Sequence, residues 1–163
     1  MRTVTIEISA LETIRAETIR RPDGLETGGI LLGRVIKGAA HLHVTVAGDP
    51  GPQALHELQR FRRDLAHAQT LADHAWADHQ AVWVGEWHTH PKAGPLPSHV
   101  DLQSYLGHLT DPELNFDEFL SIIVAGADAE LTVAAWIITR TDLIQARLTV
   151  TGDVPPPEKQ ETS

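Results

Sequence analysis

The stretch His88-Thr89-His90-Pro91-Lys92-Ala93-Gly94-Pro95-Leu96-Pro97-Ser98-His99-Val100-Asp101 decides how the rest of the chain is read. Residues 81–86 before it read as a strand that runs on into Trp87. Side chains alternate along a strand, so His88 and His90 leave one face, with Cα atoms about 6.6–7 Å apart. Pro91 ends the ladder and puts the pair at a strand terminus. Residues 92–97 contain Gly94, Pro95 and Pro97 and can be neither helix nor central strand. Ser98 is a helix-capping residue type, so a helix is predicted from Ser98 to about Leu109, with Asp101 at its third position. A carboxylate is electrostatically favoured in a first helical turn and can face the strand end that the loop has just left.

Two imidazoles and a carboxylate converging in this way can each place a donor about 2.0–2.1 Å from one ion. Three protein ligands with a fourth position left for water is the pattern of catalytic zinc; a structural site usually has four protein ligands. The same donor set also forms the facial triad of non-haem iron oxygenases, which stays open as an alternative. Sulfur ligands are excluded: the chain has no cysteine and one methionine against ten histidines. A metal-bound water needs a base. Glu26 follows the turn Pro22-Asp23-Gly24 and precedes Gly28-Gly29, at the mouth of a strand, where the two glycines allow another backbone or a substrate to approach closely.

Working outward, residues 4–8 alternate as a short strand. Ser9-Ala10-Leu11-Glu12 has the form of a capping box for a helix running to about Arg21. Residues 29–37 and 41–47 read as a hairpin around Gly38-Ala39-Ala40. After the loop at 48–52, residues 53–80 are helical in composition, with Leu58, Phe61, Leu65, Ala68, Ala72 and Ala75 as the core stripe. Three β-rich runs close the domain, at 119–126, 131–139 and 143–151. The order β-α-β-β-α-β-α-β-β-β predicts one mixed central sheet flanked by helices, an α/β (α+β) domain over residues 1–151. Residues 152–163, with Pro155-Pro156-Pro157, read as a flexible polar tail.

At 163 residues the chain holds one domain. An apolar share of 42% and a charged share of 21% fit an ordinary globular protein. A net charge of −9 argues against a nucleic-acid-coating surface. No stretch approaches 18 consecutive apolar residues and the first residues have no signal-peptide pattern, so a cytoplasmic protein without membrane spans is expected.

Glu26-Thr27-Gly28-Gly29-Ile30-Leu31-Leu32-Gly33, joined with His88-x-His90-Pro91 and Ser98-x-x-Asp101, resembles the JAMM (MPN+, JAB) zinc metalloprotease family. The family pattern is a Glu ahead of a glycine-containing strand, then H-x-H-P, then S-x-x-D, and every position of it is filled. The resemblance covers residues 3–150. It implies a cytidine-deaminase-like α/β/α sandwich with one Zn(2+) ion that hydrolyses isopeptide or peptide bonds after ubiquitin-like C-termini. By position, His88, His90 and Asp101 would bind zinc, Glu26 would be general base and proton shuttle, and Ser98 would steady the oxyanion.

The wording Gly85-Glu86-Trp87-His88-Thr89-His90-Pro91, with the upstream Phe61-Arg62-Arg63-Asp64, is similar to short bacterial JAB proteins. Those often accompany ThiF-like activating and conjugating enzymes, including antiphage systems. The resemblance thus implies a ubiquitin-like or sulfur-carrier-like protein as substrate, its extended tail lying alongside an exposed strand. Without cysteine, a second structural zinc is not expected, and residues 110–118 are too few for a large substrate-gripping insertion. A non-catalytic scaffold of the same fold would be expected to lack ligands, and none is missing.

Other candidates have plainer readings. His41-x-His43 repeats the ligand spacing but lacks a Ser-x-x-Asp helix start, and reads as a solvated strand face. His67, His74 and Asp78 read as a solvated helix face rather than a second metal site. Glu86 shares the face of His88 and His90, where a salt bridge or solvent contact is the plain reading and a bond to a ligating imidazole or an acid/base role the alternative. Trp83 and Trp87 are expected together on the opposite face, in the core.

Overall fold

A computed structural model describes residues 2–21, 24–36, 40–57, 61–126, 131–153 and 155. The elements in chain order are β1 (Thr3–Glu7), α1 (Ile8–Arg20), β2 (Gly28–Ile36), β3 (His41–Ala47), β4 (Leu55–His56), β5 (Phe61–Arg62), α2 (Leu65–His79), β6 (Val82–His90), α3 (His99–Thr110), β7 (Phe119–Ala125), β8 (Thr132–Ile138) and β9 (Leu143–Thr151). Apart from the small β4–β5 pair, this is the predicted order. Seven strands form one mixed sheet in the order β1-β3-β2-β6-β7-β8-β9. It closes on itself because β1 pairs in parallel with both β3 and β9.

The inner face of this curled sheet is the main core. Val4, Ile6, Leu31, Val44, Trp87, Leu120, Ile122 and Ile137 pack there with Ala10 and Ile14 of α1. Helices α2 and α3 cover the outer face, α2 over Ile30 and Leu32 and α3 over Phe119 and Ile138. The three layers expected of the α+β sandwich are therefore present. Trp87 is 0% exposed, and its indole N–H donates to the Gly48 carbonyl at 2.8 Å, so a large apolar body is buried with its one polar atom satisfied.

Four local expectations are corrected. Helix α1 starts directly from β1 at Ile8, with Glu7 at the cap position and no side-chain cap. The Ser9 amide instead donates to the Asp153 carboxylate at 3.1 Å, so a residue distant in sequence does the work assigned to a Ser9–Glu12 box. The helix expected over residues 53–80 begins only at Leu65. Asp64 accepts the His67 amide at 3.1 Å as the cap and the Gln53 amide at 3.0 Å, which folds the preceding segment into a closed arm. Leu65 is consequently 75% exposed, while Ala68, Ala72 and Ala75 take the core positions expected of them.

The third correction concerns the tryptophans. Leu31 pairs with Gly85 and Leu32 with Trp83, leaving Val84 as the extra residue of a β-bulge. The bulge resets the alternation, so Trp87 faces the inner core while Trp83 lies outside with Phe116, Phe119 and His108. The fourth concerns His41 and His43, which are partly buried and bonded to the neighbouring strand rather than solvated. The predicted turn at Pro22-Asp23 and Gly38-Ala39 of the hairpin connection lie outside the described residues, as does the tail except residues 152, 153 and 155.

Candidate metal centre

Strand β6 carries the two histidines at its end, held on one side by β2 (Gly28 opposite His88) and on the other by β7 (Ile123 opposite His88, Ala125 opposite His90). The fit to β2 requires glycine: a Cβ at Gly28 would stand 2.3 Å from the Trp87 carbonyl oxygen. Both imidazoles point to the outer face, with ring centroids 4.8 Å apart.

The loop after Pro91 returns to this point and is pinned on the way. The His90 Nδ1–H donates to the Gly94 carbonyl at 3.0 Å, and the Trp136 indole N–H donates to the Pro95 carbonyl at 2.7 Å. The first of these bonds leaves the lone pair of neutral His90 on Nε2, aimed at the centre. Ser98 then caps α3 as the sequence predicts, and the cap is reciprocal. The Asp101 amide donates to Ser98 Oγ at 3.1 Å, and the Ser98 amide donates to Asp101 Oδ2 at 2.8 Å.

That same Oδ2 stands 3.1 Å from His88 Nε2 and 3.1 Å from His90 Nε2, and the two nitrogens are 3.0 Å apart. The three donor atoms form a nearly equilateral triangle. A tetrahedral ion with bonds of about 2.0–2.1 Å has ligand edges of about 3.3 Å, so a small outward shift of the three donor atoms is all that separates the triangle from a coordination face. His88 and His90 are buried and Asp101 is half-buried; among the described residues this is the group that could hold a metal. Burial pushes the Asp101 carboxyl up, but hydrogen bonds from His88, His90 and the Ser98 amide outweigh it and hold the group far below the usual carboxylate range. Burial likewise pushes His90 down, and its bonds to Asp101 and Gly94 more than reverse that. An ionised carboxylate facing two imidazole nitrogens is a donor set chemically suited to a divalent cation.

Glu26 lies across from the triangle. Its amide donates to the Glu57 carbonyl at 2.8 Å, and the His56 Nδ1–H donates to the Glu26 carbonyl at 2.9 Å. Glu26 lines one cleft with His88 and Asp101, a space of about 770 Å³ whose walls include Gln53, residues 62–65 and α3. Burial raises the Glu26 carboxyl above its ordinary value, with His88 and His90 pulling it part of the way back. The structure thus brings Glu26, His88, His90, Ser98 and Asp101 to one place. Glu86 is an ion-pair partner of Arg63, and its other oxygen lies 3.8 Å from His88 Nδ1. His67 pairs with Asp49, and His74 and Asp78 are exposed.

Arg63, Gln53, Ser104 and His108 also line the cleft, and the sequence reading missed them. Ser104 and His108 had a signal in their spacing of three and seven residues from Asp101 on one helix. Arg63 and Gln53 had none, because their place depends on the arm.

A model of the prokaryotic homologues of the JAB domain matches residues 9–144. Similar proteins named CD-NTase/cGAS isopeptidase come from Vibrio cholerae (28% identical, 62% of each chain covered), Enterobacter hormaechei (28%, 78% of this chain and 69% of that one) and Pseudomonas aeruginosa (36%, 57% and 59%). Against a namesake from Escherichia coli (31% identical over 50% of this chain), the match spans about half of the relative's length, 52%. The solution structure of a Desulfitobacterium hafniense protein superimposes with a TM-score of 0.70 over 93% of this chain and 95% of that one, at 18% identity, which is a likeness of fold. The match over residues 9–144 includes the whole cleft, from Glu26 through the histidine strand to the cap of α3, and on it the chain belongs to the prokaryotic JAB domain family.

Proposed function

We propose that this protein is a zinc-dependent isopeptidase that cuts the bond after the C-terminus of a ubiquitin-like protein. By analogy with its relatives' names, the other half of the conjugate is a CD-NTase/cGAS-type protein. The observation that carries this reading is the triangle of His88, His90 and Asp101 donors, 3.0–3.1 Å on a side, with Glu26 lining the same cleft. His88, His90 and Asp101 would hold the ion. Bound there, zinc would lower the pKa of a coordinated water toward about 7 and polarise the scissile carbonyl.

The remaining work falls to the chain's own groups. Glu26 collects the proton from the attacking water and passes it to the leaving amine; burial, by raising its pKa, suits it to both halves of that transfer. Ser98 Oγ accepts the Asp101 amide, and its own hydroxyl proton remains available to a developing oxyanion. Hydrolysis is also what family membership favours over the iron-oxygenase alternative.

Among the described residues each strand of the main sheet pairs with two others. An extended tail would therefore lie beside the β4–β5 pair, whose neighbouring groups His56 and Glu57 bond the main chain of Glu26. Activating and conjugating enzymes of the same system, ThiF-like by resemblance, would make the conjugate that this protein removes. The test is to incubate the protein with a ubiquitin-like protein joined through its C-terminus to a lysine of a CD-NTase. Scission at that bond, stopped by a chelator and restored by zinc, is expected; scission indifferent to the chelator would refute the reading.

A further inference from the structure

Arg63 stands immediately before the α2 cap residue, at the end of the arm that forms one wall of the cleft. Its guanidinium is held twice. One Nη donates to Glu86 Oε2, and the plane lies over the Trp83 ring, 5.6 Å from the centroid. Both partners of the ion pair are only 16% exposed in their side chains, so the pair is screened little by solvent. The other Glu86 oxygen lies 3.8 Å from His88 Nδ1, within ion-pair range though longer than a hydrogen bond. Tyr105 Oη is 3.4 Å from the same nitrogen and is itself bonded to Ser121 Oγ at 2.8 Å.

His88 is thus met on its far side by a carboxylate and a phenol, each fixed by a third group. Which ring nitrogen carries the proton is set by what the other nitrogen faces. An acceptor at Nδ1 leaves the Nε2 lone pair for the triangle. The opposite end of the same arm carries Glu57 and His56, the groups that bond the main chain of Glu26. Arg63 therefore joins the two halves of the site: the arm that holds Glu26 and the strand that holds His88.

We propose that Arg63 and Glu86 are a positioning pair for the metal centre, in which Arg63 holds Glu86 against His88 and ties the arm to β6. The proposal rests on reading His88, His90 and Asp101 as metal ligands, and its test reads metal affinity rather than hydrolysis. Zinc affinity of the whole chain is measured by competition with a chromophoric chelator for Glu86→Ala, Glu86→Gln, Arg63→Met, Arg63→Lys and the Arg63→Met/Glu86→Ala double variant. Loss of an outer partner of a ligating histidine is expected to weaken binding about 10–100-fold.

The double variant is expected to be no weaker than Glu86→Ala alone by more than about twofold, because Arg63 acts through Glu86. Arg63→Lys should fall short of wild type, since an ammonium lacks the planar fork that aims the carboxylate. Wild-type affinity in a folded Glu86→Ala, or fully additive losses in the double variant, would overturn the pair's role. If Glu86→Ala or Arg63→Met fails to fold, judged by circular dichroism, Glu86→Gln and Arg63→Lys decide in the same way. A wild-type chain that binds no zinc would overturn the metal-centre reading itself, and this proposal with it.

Discussion

The chain contains two His-x-His pairs on one sheet, on β3 and β6 with β2 between them, and they differ in what their ring nitrogens face. At His41 and His43 it is the Thr5 hydroxyl of β1, 2.7 Å from His41 Nε2 and 2.7 Å from His43 Nδ1, donating to one and accepting from the other. His43 Nε2 then pairs with the buried Glu7 at 2.9 Å. The ring nitrogens are spent on the sheet's own hydrogen bonds. At His88 and His90 the neighbouring strand offers glycine instead, the Nδ1 atoms face outward partners, and both Nε2 atoms converge on a carboxylate delivered by a helix start. Spacing alone makes two side chains parallel. The site is made by the third ligand and by what the far nitrogens face.

Four measurements would break or sharpen that contrast. His88→Ala should abolish zinc binding outright, while His43→Ala leaves the zinc content of the purified protein unchanged; equal loss in both variants would dissolve the distinction. Glu26→Gln should reduce turnover about 10²–10⁴-fold with zinc retained. The ionised carboxylate is needed to take the proton and burial raises its pKa, so the acid limb of kcat/KM in the wild type should lie above the ordinary glutamate range. A limb at the ordinary position, or an active Glu26→Gln, removes Glu26 as the base.

Thr5→Val strips both imidazoles of the first pair of a shared partner. It should cost about 1–3 kcal/mol in urea unfolding without altering zinc affinity. The smallest effect concerns the cap. Ser98→Ala should cost about 1 kcal/mol of stability and Ser98→Gly only a few tenths. If Ser98 serves the oxyanion as well as the cap, the two variants should nevertheless lose turnover equally.

What was legible in the sequence was local. The strand pair, the proline stop and the Ser98–Asp101 cap are fixed by separations of two and three residues, and the metal triangle follows from them. Glu26 carried a weak local signal in its place before Gly28-Gly29 and needed the family pattern as well, because its approach to His88 runs through a strand pairing 60 residues apart (88 − 28). Residues 53–57 and 61–63 lie in a stretch of helix-forming composition but are not helical, since Asp64 bonds back to Gln53 and Arg63 reaches Glu86 on β6; Leu58 of the expected core stripe lies outside the described residues. The bulge at Val84 was equally hidden: a single extra residue in one partner carries no signature in the other, yet it turns Trp83 out of the inner core and under Arg63. The Ser9–Glu12 pattern failed for the converse reason, because Asp153, at the far end of the chain, reached the Ser9 amide first.

The oxygen that completes the donor triangle is also the one that caps α3, since Asp101 Oδ2 takes the Ser98 amide while it faces both imidazoles. An ion held there and the helix would therefore be thermodynamically linked: whatever frays the first turn of α3 would withdraw a donor, and a cation present at 100 times its dissociation constant would stiffen that turn as part of about 2.7 kcal/mol of added stability. The helix supplies Val100, Ser104 and His108 to the cleft wall. Loading a metal would thus set the firmness of the surface on which a substrate tail would be laid, so that an empty protein would lose grip as well as chemistry.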